Sequence, residues 1–305
     1  MDEPTPNPKD QRCSPDHLRA FTEHRAALFG AAYRVLGAVQ DSEDAVQEAW
    51  LRWQKVDIAE VQSPRSYLLR IVSRTALNSL RTQQRRREDY PGPWLPEPIS
   101  TDVDREPDQA AEIADDVSLA LLVVLEALSP LERAAFVLRE VFDLSYLEVA
   151  DALDRSEDAV RKLVSRARSH VHQTPTHEAG AAATHRKLTE KLLEVSRGEL
   201  PLEDFVSVLA PDVVLTTDAG GRAKAARNPI FGVEKVMRFT AGVLSTPEVA
   251  ELSWELGTVN GRAAVIGHLS GTIDTVAWIE VDRGSVTRID MIRNPSKLRA
   301  IIAQT

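Results

Sequence analysis

Apolar residues recur at helical spacing through most of this chain, and after Ala250 the period changes to two. Between Leu128 and Val171 the helical pattern breaks into three segments. Pro130 to Val141 carries Leu131, Ala134, Ala135 and Leu138 on one face. Ser145-x-x-Glu148 has the form of a capping box, and Leu147, Ala150 and Leu153 give the helix it opens a stripe expected to be buried. Ser156 then reads as an N-cap, with Glu157 and Asp158 in the first turn, where the helix dipole favours negative charge. This last helix puts Val160, Leu163, Val164, Ala167 and Val171 on one side and Arg161, Lys162, Ser165, Arg166 and Arg168 on the other. Upstream, Asp41, Ser42, Glu43 and Asp44 open a helix whose core stripe is Val46, Ala49, Trp50 and Trp53. Asp44, Gln47, Glu48 and Leu51 lie along a different, mostly acidic face. Ser63-Pro64 predicts the N-cap and first-turn proline of a further helix. Leu69, Val72, Ala76 and Leu80 face one way along it, and Tyr67, Arg70, Arg74, Asn78, Arg81 and Arg85 another.

These faces differ in chemistry. A short helix, a tight turn and a second helix with a basic outer face form the helix-turn-helix layout, whose second helix enters the major groove. The upstream basic face, with an Asn and an aromatic among its arginines, suits phosphates and bases. The acidic face with its protruding Leu51 suits a protein partner.

Leu28 to Arg87, with the core Asp41-Ser-Glu-Asp-Ala-Val-Gln-Glu-Ala-Trp-Leu-Arg52, resembles region 2 of bacterial RNA polymerase sigma factors, and Leu128 to Val171 resembles region 4. With no full region 1 and little of region 3, the arrangement is similar to the extracytoplasmic-function group. The resemblance implies that Asp44, Gln47, Glu48 and Leu51 dock on the clamp helices of the polymerase β′ subunit. It implies that Arg70, Arg74, Asn78 and Arg81 engage the −10 element, with the loop Val56 to Gln62 capturing a base from the melted strand. Flipping that base costs a few kcal/mol, which a pocket must offset. By the same resemblance Arg161, Lys162, Ser165, Arg166 and Arg168 read the −35 element, and the β flap is a further polymerase contact.

The net charge of −9 sits mostly in one place. Residues 89–117 hold 1 basic against 9 acidic residues, whereas residues 14–88 hold 12 against 9. The acidic balance therefore does not oppose DNA binding. Asp102, Asp104, Glu106, Asp108, Glu112, Asp115 and Asp116 fit a solvated tether. Equally, within the sigma family such a linker threads the positively charged path of the polymerase. It also holds Trp94-Leu95-Pro96-Glu97-Pro98, a stiff Pro-rich stretch with one large aromatic, which implies a docking segment. The one cysteine, Cys13, allows no intrachain disulfide, as a reducing cytoplasm expects. No apolar run reaches membrane-span length, so no membrane partner is expected.

From His185 to Arg197 the chain is amphipathic through Leu188, Leu192 and Val195. Short helices are expected at Pro201 to Leu209 and Val233 to Val243, the latter with Val236, Phe239 and Val243 inward. Ala250 to Val259, Arg262 to Ser270, Thr272 to Val281 and Val286 to Ile292 read as strands. Asn260-Gly261 and Asp282-Arg-Gly284 form the turns. Helices followed by an antiparallel meander argue for an α+β domain, and the order resembles the SnoaL-like, NTF2-like cone. The linker sequence 94–98, Asp218-Ala-Gly-Gly-Arg222 and Asn294-Pro-Ser-Lys-Leu298 together resemble the sigma subgroup with a fused SnoaL-like domain, the SigJ type. Its usual patterns are Asp-Gly-Gly-Gly-Arg and Asn-Pro-Asp-Lys-Leu, from which Ala219 and Ser296 depart. Gly220-Gly221 permits a sharp turn expected to place Asp218 and Arg222 where a partner can reach them. With Asn294, Pro295, Lys297 and Leu298, these are the candidate regulatory residues.

The expected architecture is multidomain. A leader, 1–14, precedes two all-α sigma domains, 15–88 and 118–172, joined by the linker 89–117. A second linker, 173–184, leads to an α+β cone at 185–305. Asp218, His268, Asp274 and Asp290 are candidate acid–base residues by type, yet no spacing forces a pair together, so no catalytic group, cofactor or metal is expected. His170, His172, His177 and His185 straddle a loose linker without a closing ligand pattern. Three readings stand: a cytoplasmic initiation factor regulated in cis, a sensor with a small molecule in the cone, or a SnoaL-type enzyme fused to a DNA-binding module.

Overall fold

Ser14 caps the first helix, its Oγ accepting from the His17 amide, and Pro15 supplies the first-turn residue. This is a computed structural model describing residues 14–88, 90–100, 117–172, 181–223 and 225–302. Cys13, the acidic residues from Asp102 to Asp116 and His177 lie outside them. The chain forms two units, one comprising residues up to Gln83 with Leu125–Val171, the other Gln84–Val124 with His172–Thr305.

In the first unit, α1 (Pro15–Leu36) packs on α2 (Val39–Trp53), and α3 is Pro64–Glu88. Of the core stripes expected of α2 and α3, Val46, Ala49, Trp53, Leu69, Val72, Ala76 and Leu80 are buried, whereas Trp50 is only half-buried, its ring tilted against Phe21. α2 opens earlier than the acidic run suggests, capped at Ala38, while Ser42 bonds back to the Ala38 carbonyl at 2.5 Å. The helix α4 (Leu119–Glu126) belongs to the second unit as far as Val124; from Leu125 the first unit resumes, and α5 (Pro130–Phe136) runs into a π-helical turn, Val137–Val141. α6 (Tyr146–Leu153) and α7 (Glu157–His172) complete a helix-turn-helix. Both halves of the capping box are made at Ser129/Glu132 and at Ser145/Glu148. Leu147 is not buried as expected but 69% exposed: the packed face of α6 runs through Val149, Ala150, Ala152 and Leu153, and Leu147 projects from its first turn. α1 packs on α5, where the buried Arg133 guanidinium donates to the Val35 carbonyl at 2.9 Å and pairs with Glu126.

The second unit is built on a six-stranded sheet, order β2-β1-β6-β5-β4-β3. The expected meander is β3 (Ser253–Val259), β4 (Arg262–Leu269), β5 (Thr272–Asp282) and β6 (Ser285–Ile292), antiparallel throughout. Residues 247–250, at the edge of the first expected strand, form the short helix α11 (Pro247–Ala250) instead. A strand the periodicity does not announce, β1 (Leu209–Asp218), lies parallel to β6 and pairs with β2 (Ile230–Phe231). Register shifts at Leu209/Val214, Gly267/His268 and Glu280/Val281 bend the sheet. Helices α8 (Ala181–Ser196), α9 (Leu202–Val206) and α10 (Val233–Leu244) cover one face, burying Leu188, Leu192, Phe205, Val236, Ala277 and Ile279 with it. The result is the α+β cone. Because side chains alternate along a strand, Val276 and Trp278 point the other way and are also buried. Against β5 packs α12 (Pro295–Ile302), a helix the sequence reading lacks.

Candidate nucleic-acid interfaces and the linker clamp

On α2, Asp44, Gln47 and Leu51 are exposed and Glu48 half-buried. Ser63 caps α3 through the Ser66 amide, and its basic face shows Arg74, Asn78 and Arg81 to solvent. Arg70 is different. Its guanidinium sits 4.7 Å from the Tyr67 ring centre and is hydrogen-bonded to Asp151 of α6. Nearby, Arg65 donates to the Phe142 carbonyl at 3.3 Å. A cavity of about 420 Å³ is bounded by Val56, Val61, Tyr67 and Arg70 on one side and by Glu148 and Asp151 on the other. Hydrogen bonds from Ser66 and Ser145 hold the Glu148 carboxyl below the usual range.

On α7, Arg161, Lys162, Ser165, Arg166 and Arg168 are all exposed, while Val160, Leu163, Val164 and Ala167 anchor the opposite face. Arg161 pairs with Glu157 and lies 4.5 Å from the Tyr146 ring centre. Arg166 pairs with Glu132 at 2.9 Å and Arg168 with Glu140 at 2.8 Å. The arginine ends of these pairs are exposed, and such pairs contribute about 1 kcal/mol or less each.

The three short motifs of the second unit converge on one buried cluster. β1 ends at Asp218, 1% exposed, and α12 begins after Asn294, whose Oδ1 accepts from the Ser296 amide at 3.1 Å. Lys297, 2% exposed, donates to Asp218 Oδ2 at 2.7 Å and to the Leu95 carbonyl, with its Nζ 3.2 Å from the Trp94 ring centre. The Leu95 amide donates to the same Asp218 oxygen at 2.9 Å. Tyr90 donates its hydroxyl hydrogen to Asp218 Oδ1 and accepts from Asn294 Nδ2 at 2.8 Å. Burial, then the bond to Asp218, pushes the Tyr90 phenol above its ordinary range, which keeps it a donor. A charged pair this deep holds because both carboxylate oxygens accept hydrogen bonds and the ammonium has a second acceptor in the Leu95 carbonyl. Leu95, Pro96, Pro98 and Leu298 are buried beside it, Glu97 is half-buried, and Pro295 is exposed.

The cluster corrects one expectation. Arg222 is exposed, but Asp218 is not presented outward; it is taken up by the linker of its own chain. Gly220 and Gly221 have φ of 57° and 71°, whereas Ala219 is not among the positive-φ residues and fits its site. Tyr90 escaped the sequence reading; its signal is a second aromatic just before Pro91-Gly-Pro-Trp94.

Inside the cone, Leu192, Phe205, Phe239, Trp254, Ile289 and Met291 help line an apolar cavity of about 60 Å³. The candidate acid–base residues are scattered. Asp274 pairs with Arg293 at 2.9 Å, His268 with Glu255 at 2.8 Å, and Asp290 with Arg288 at 2.7 Å. Burial pushes the Asp290 carboxyl up against the opposing pull of Arg288. None of His268, Asp218 and Asp290 lines the cavity. Among the described residues no cluster of three His, Cys, Asp or Glu could hold a metal ion, and no helix is long and apolar enough to cross a membrane.

Comparison with known proteins agrees with this geometry. Residues 20–86 match the family model of sigma-70 region 2, and residues 118–171 that of sigma-70 region 4. The chain is 37% identical over 288 residues to the ECF RNA polymerase sigma factor SigJ of Mycobacterium tuberculosis, covering 91% of each chain. It is 28% identical over 293 residues to the probable ECF RNA polymerase sigma factor SigI of the same species, covering 93% of this chain and 96% of the relative. The crystal structure of M. tuberculosis SigJ superposes with a TM-score of 0.76 at 35% identity, covering 93% of this chain and 99% of that one. The chain belongs to the extracytoplasmic-function RNA polymerase sigma factors of the sigma-70 family.

Proposed function

We propose that this sigma factor directs core RNA polymerase to promoters through the faces described, and that its C-terminal domain restrains it in cis by gripping the interdomain linker. In this reading Asp44, Gln47, Glu48 and Leu51 meet the β′ clamp helices, and region 4 also meets the β flap. Arg70, Arg74, Asn78 and Arg81 take the −10 element; Arg161, Lys162, Ser165, Arg166 and Arg168 take the −35 element. Exposure of the arginines on α7 and of Leu51 supports these roles. The engagement of Arg70 by Asp151 fits a resting arrangement that promoter DNA must displace. One observation carries the regulatory part: Lys297 and Asp218 together bond both backbone groups of Leu95 in a buried site.

The test is run-off transcription with core polymerase, comparing the full chain with Lys297→Met. Release of the linker is expected to raise initiation severalfold on the same promoter. A fall in initiation by a folded variant would overturn the restraint, and no initiation by either chain on any candidate promoter would overturn the promoter-directing reading. A small molecule in the cone is not required. The enclosed cavity of about 60 Å³ is below the roughly 150 Å³ that holds a benzene-sized guest, although Val195, Leu202, Leu252 and Trp254 also line an open cavity of about 740 Å³ beside it.

A further inference from the structure

A second grip on the linker stands apart from the Lys297–Asp218 cluster, at the hairpin between β3 and β4. Asn260 is 2% exposed although it occupies a turn. Its backbone has φ of 50° and that of Gly261 70°, the left-handed pair that an Asn-Gly hairpin turn requires. Turn chemistry alone leaves such an Asn side chain in solvent. Here the carboxamide is spent on the linker at both of its ends. Oδ1 accepts from the Ile99 amide at 2.9 Å, and Nδ2 donates to the Val117 carbonyl at 3.1 Å. The Asn260 amide donates in turn to the Ile99 carbonyl at 2.8 Å, beside the bridge between Ser100 and Val259. Ile99 and Val117 are themselves buried, so these bonds are shielded from water.

We propose that Asn260 is a staple that fixes how far the linker can reach. Two backbone atoms bonded to one carboxamide lie within about 8 Å of each other. The residues between them, 101–116, could span about 60 Å if extended. While both bonds hold, that length is withheld from the connection between region 2 and region 4. When they open, it is returned. The staple thus shortens the reach of the linker for as long as both side-chain bonds hold. The consequence for transcription rests on the cis-restraint reading above; the staple itself does not.

The geometry supplies clean variants. Asn260→Gly keeps the left-handed turn and removes both side-chain bonds. Asn260→Asp keeps the acceptor for Ile99 but turns the Val117 partner into a second acceptor. In a full-length Cys13→Ser background, nitroxides at Ser100→Cys and Ala120→Cys report the separation by double electron–electron resonance. The parent is expected to give one narrow distance. Both variants are expected to lengthen it by about 10 Å or more, the reach of a few extended residues, and to broaden it. In Asn260→Asp the Ile99 amide keeps its protection from hydrogen exchange; in Asn260→Gly it loses it. An unchanged distance in both variants overturns the staple. A lengthened distance with unchanged run-off transcription leaves the staple standing and removes the restraint reading instead.

Discussion

At the scale of single residues, the linker grip depends on a charge that could not be left alone. Lys297→Met keeps much of the side chain's length but leaves the Asp218 carboxylate buried beside Leu95 without its counter-ion. Breaking such a pair costs about 3–5 kcal/mol. Urea denaturation of the variant is expected to show a loss of that order, partly recovered in Lys297→Met/Asp218→Asn, where no charge remains. Equal losses in single and double variants would show that packing, not charge, dominates. Gly220 is a second sensitive point: a Cβ there would lie 2.5 Å from Asn294 Nδ2 and 3.1 Å from the Tyr90 hydroxyl, at φ of 57°. Gly220→Ala is expected to cost about 1–2 kcal/mol from the left-handed backbone alone and to shift the fluorescence of Trp94 as Tyr90 is displaced. The turn at Gly220-Gly221 was legible because glycine pairs announce backbone geometry. The burial of Asp218 was not, since its partners are Lys297 and Leu95, far away in sequence.

Elements whose ends carry caps were the most legible. Ser63-Pro64, Ser145-x-x-Glu148 and Asn260-Gly261 each mark a boundary through local chemistry, and each boundary stands where that chemistry puts it. β1 was not legible. Pro211 and Asp212 interrupt it, and its burial runs together from Leu215 to Asp218 because both faces of the sheet are covered there. Alternation, the usual mark of a strand, is erased by that double cover. The capping box of α6 makes a prediction at this scale. The bond from Ser66 and those from Ser145 lower the folded pKa of Glu148 below its ordinary 4.5. A lowered carboxyl contributes stability that is present above the unfolded value and is lost as pH falls through the folded one. Glu148→Gln is therefore expected to be less stable than the parent by about 1 kcal/mol at pH 7. In urea titrations the difference should shrink as pH falls below 4.5. A difference independent of pH would remove the charge from the explanation.

For the whole molecule, the described parts of the linker are its two ends; the acidic run from Asp102 to Asp116 lies outside the described residues. A solvated tether should tolerate losing whatever follows it. Yet Leu95 and Ile99 are each 1% exposed and Val117 fully buried, as parts of the unit that contains the cone. Their apolar burial contributes about 1.5–3 kcal/mol per side chain, and their backbone groups bond to Asp218, Lys297 and Asn260 of the cone. A chain ending at Gln173 is then more than an unrestrained sigma factor, because it also exposes an apolar strip. It is expected to bind a hydrophobic dye and to elute partly as aggregate. Leu95→Ser/Ile99→Ser in the same shortened chain should restore a monomer without affecting regions 2 and 4. Monomeric, dye-free behaviour of the unsubstituted short chain would mean that the strip finds cover without the cone, and that the linker is the independent tether its composition suggests. If aggregation is found, higher or lower transcription by a simple truncation cannot be assigned to lost restraint. Point variants at Lys297 and Asn260 keep the whole cone in the chain, and dye binding measured beside transcription separates released restraint from lost cover.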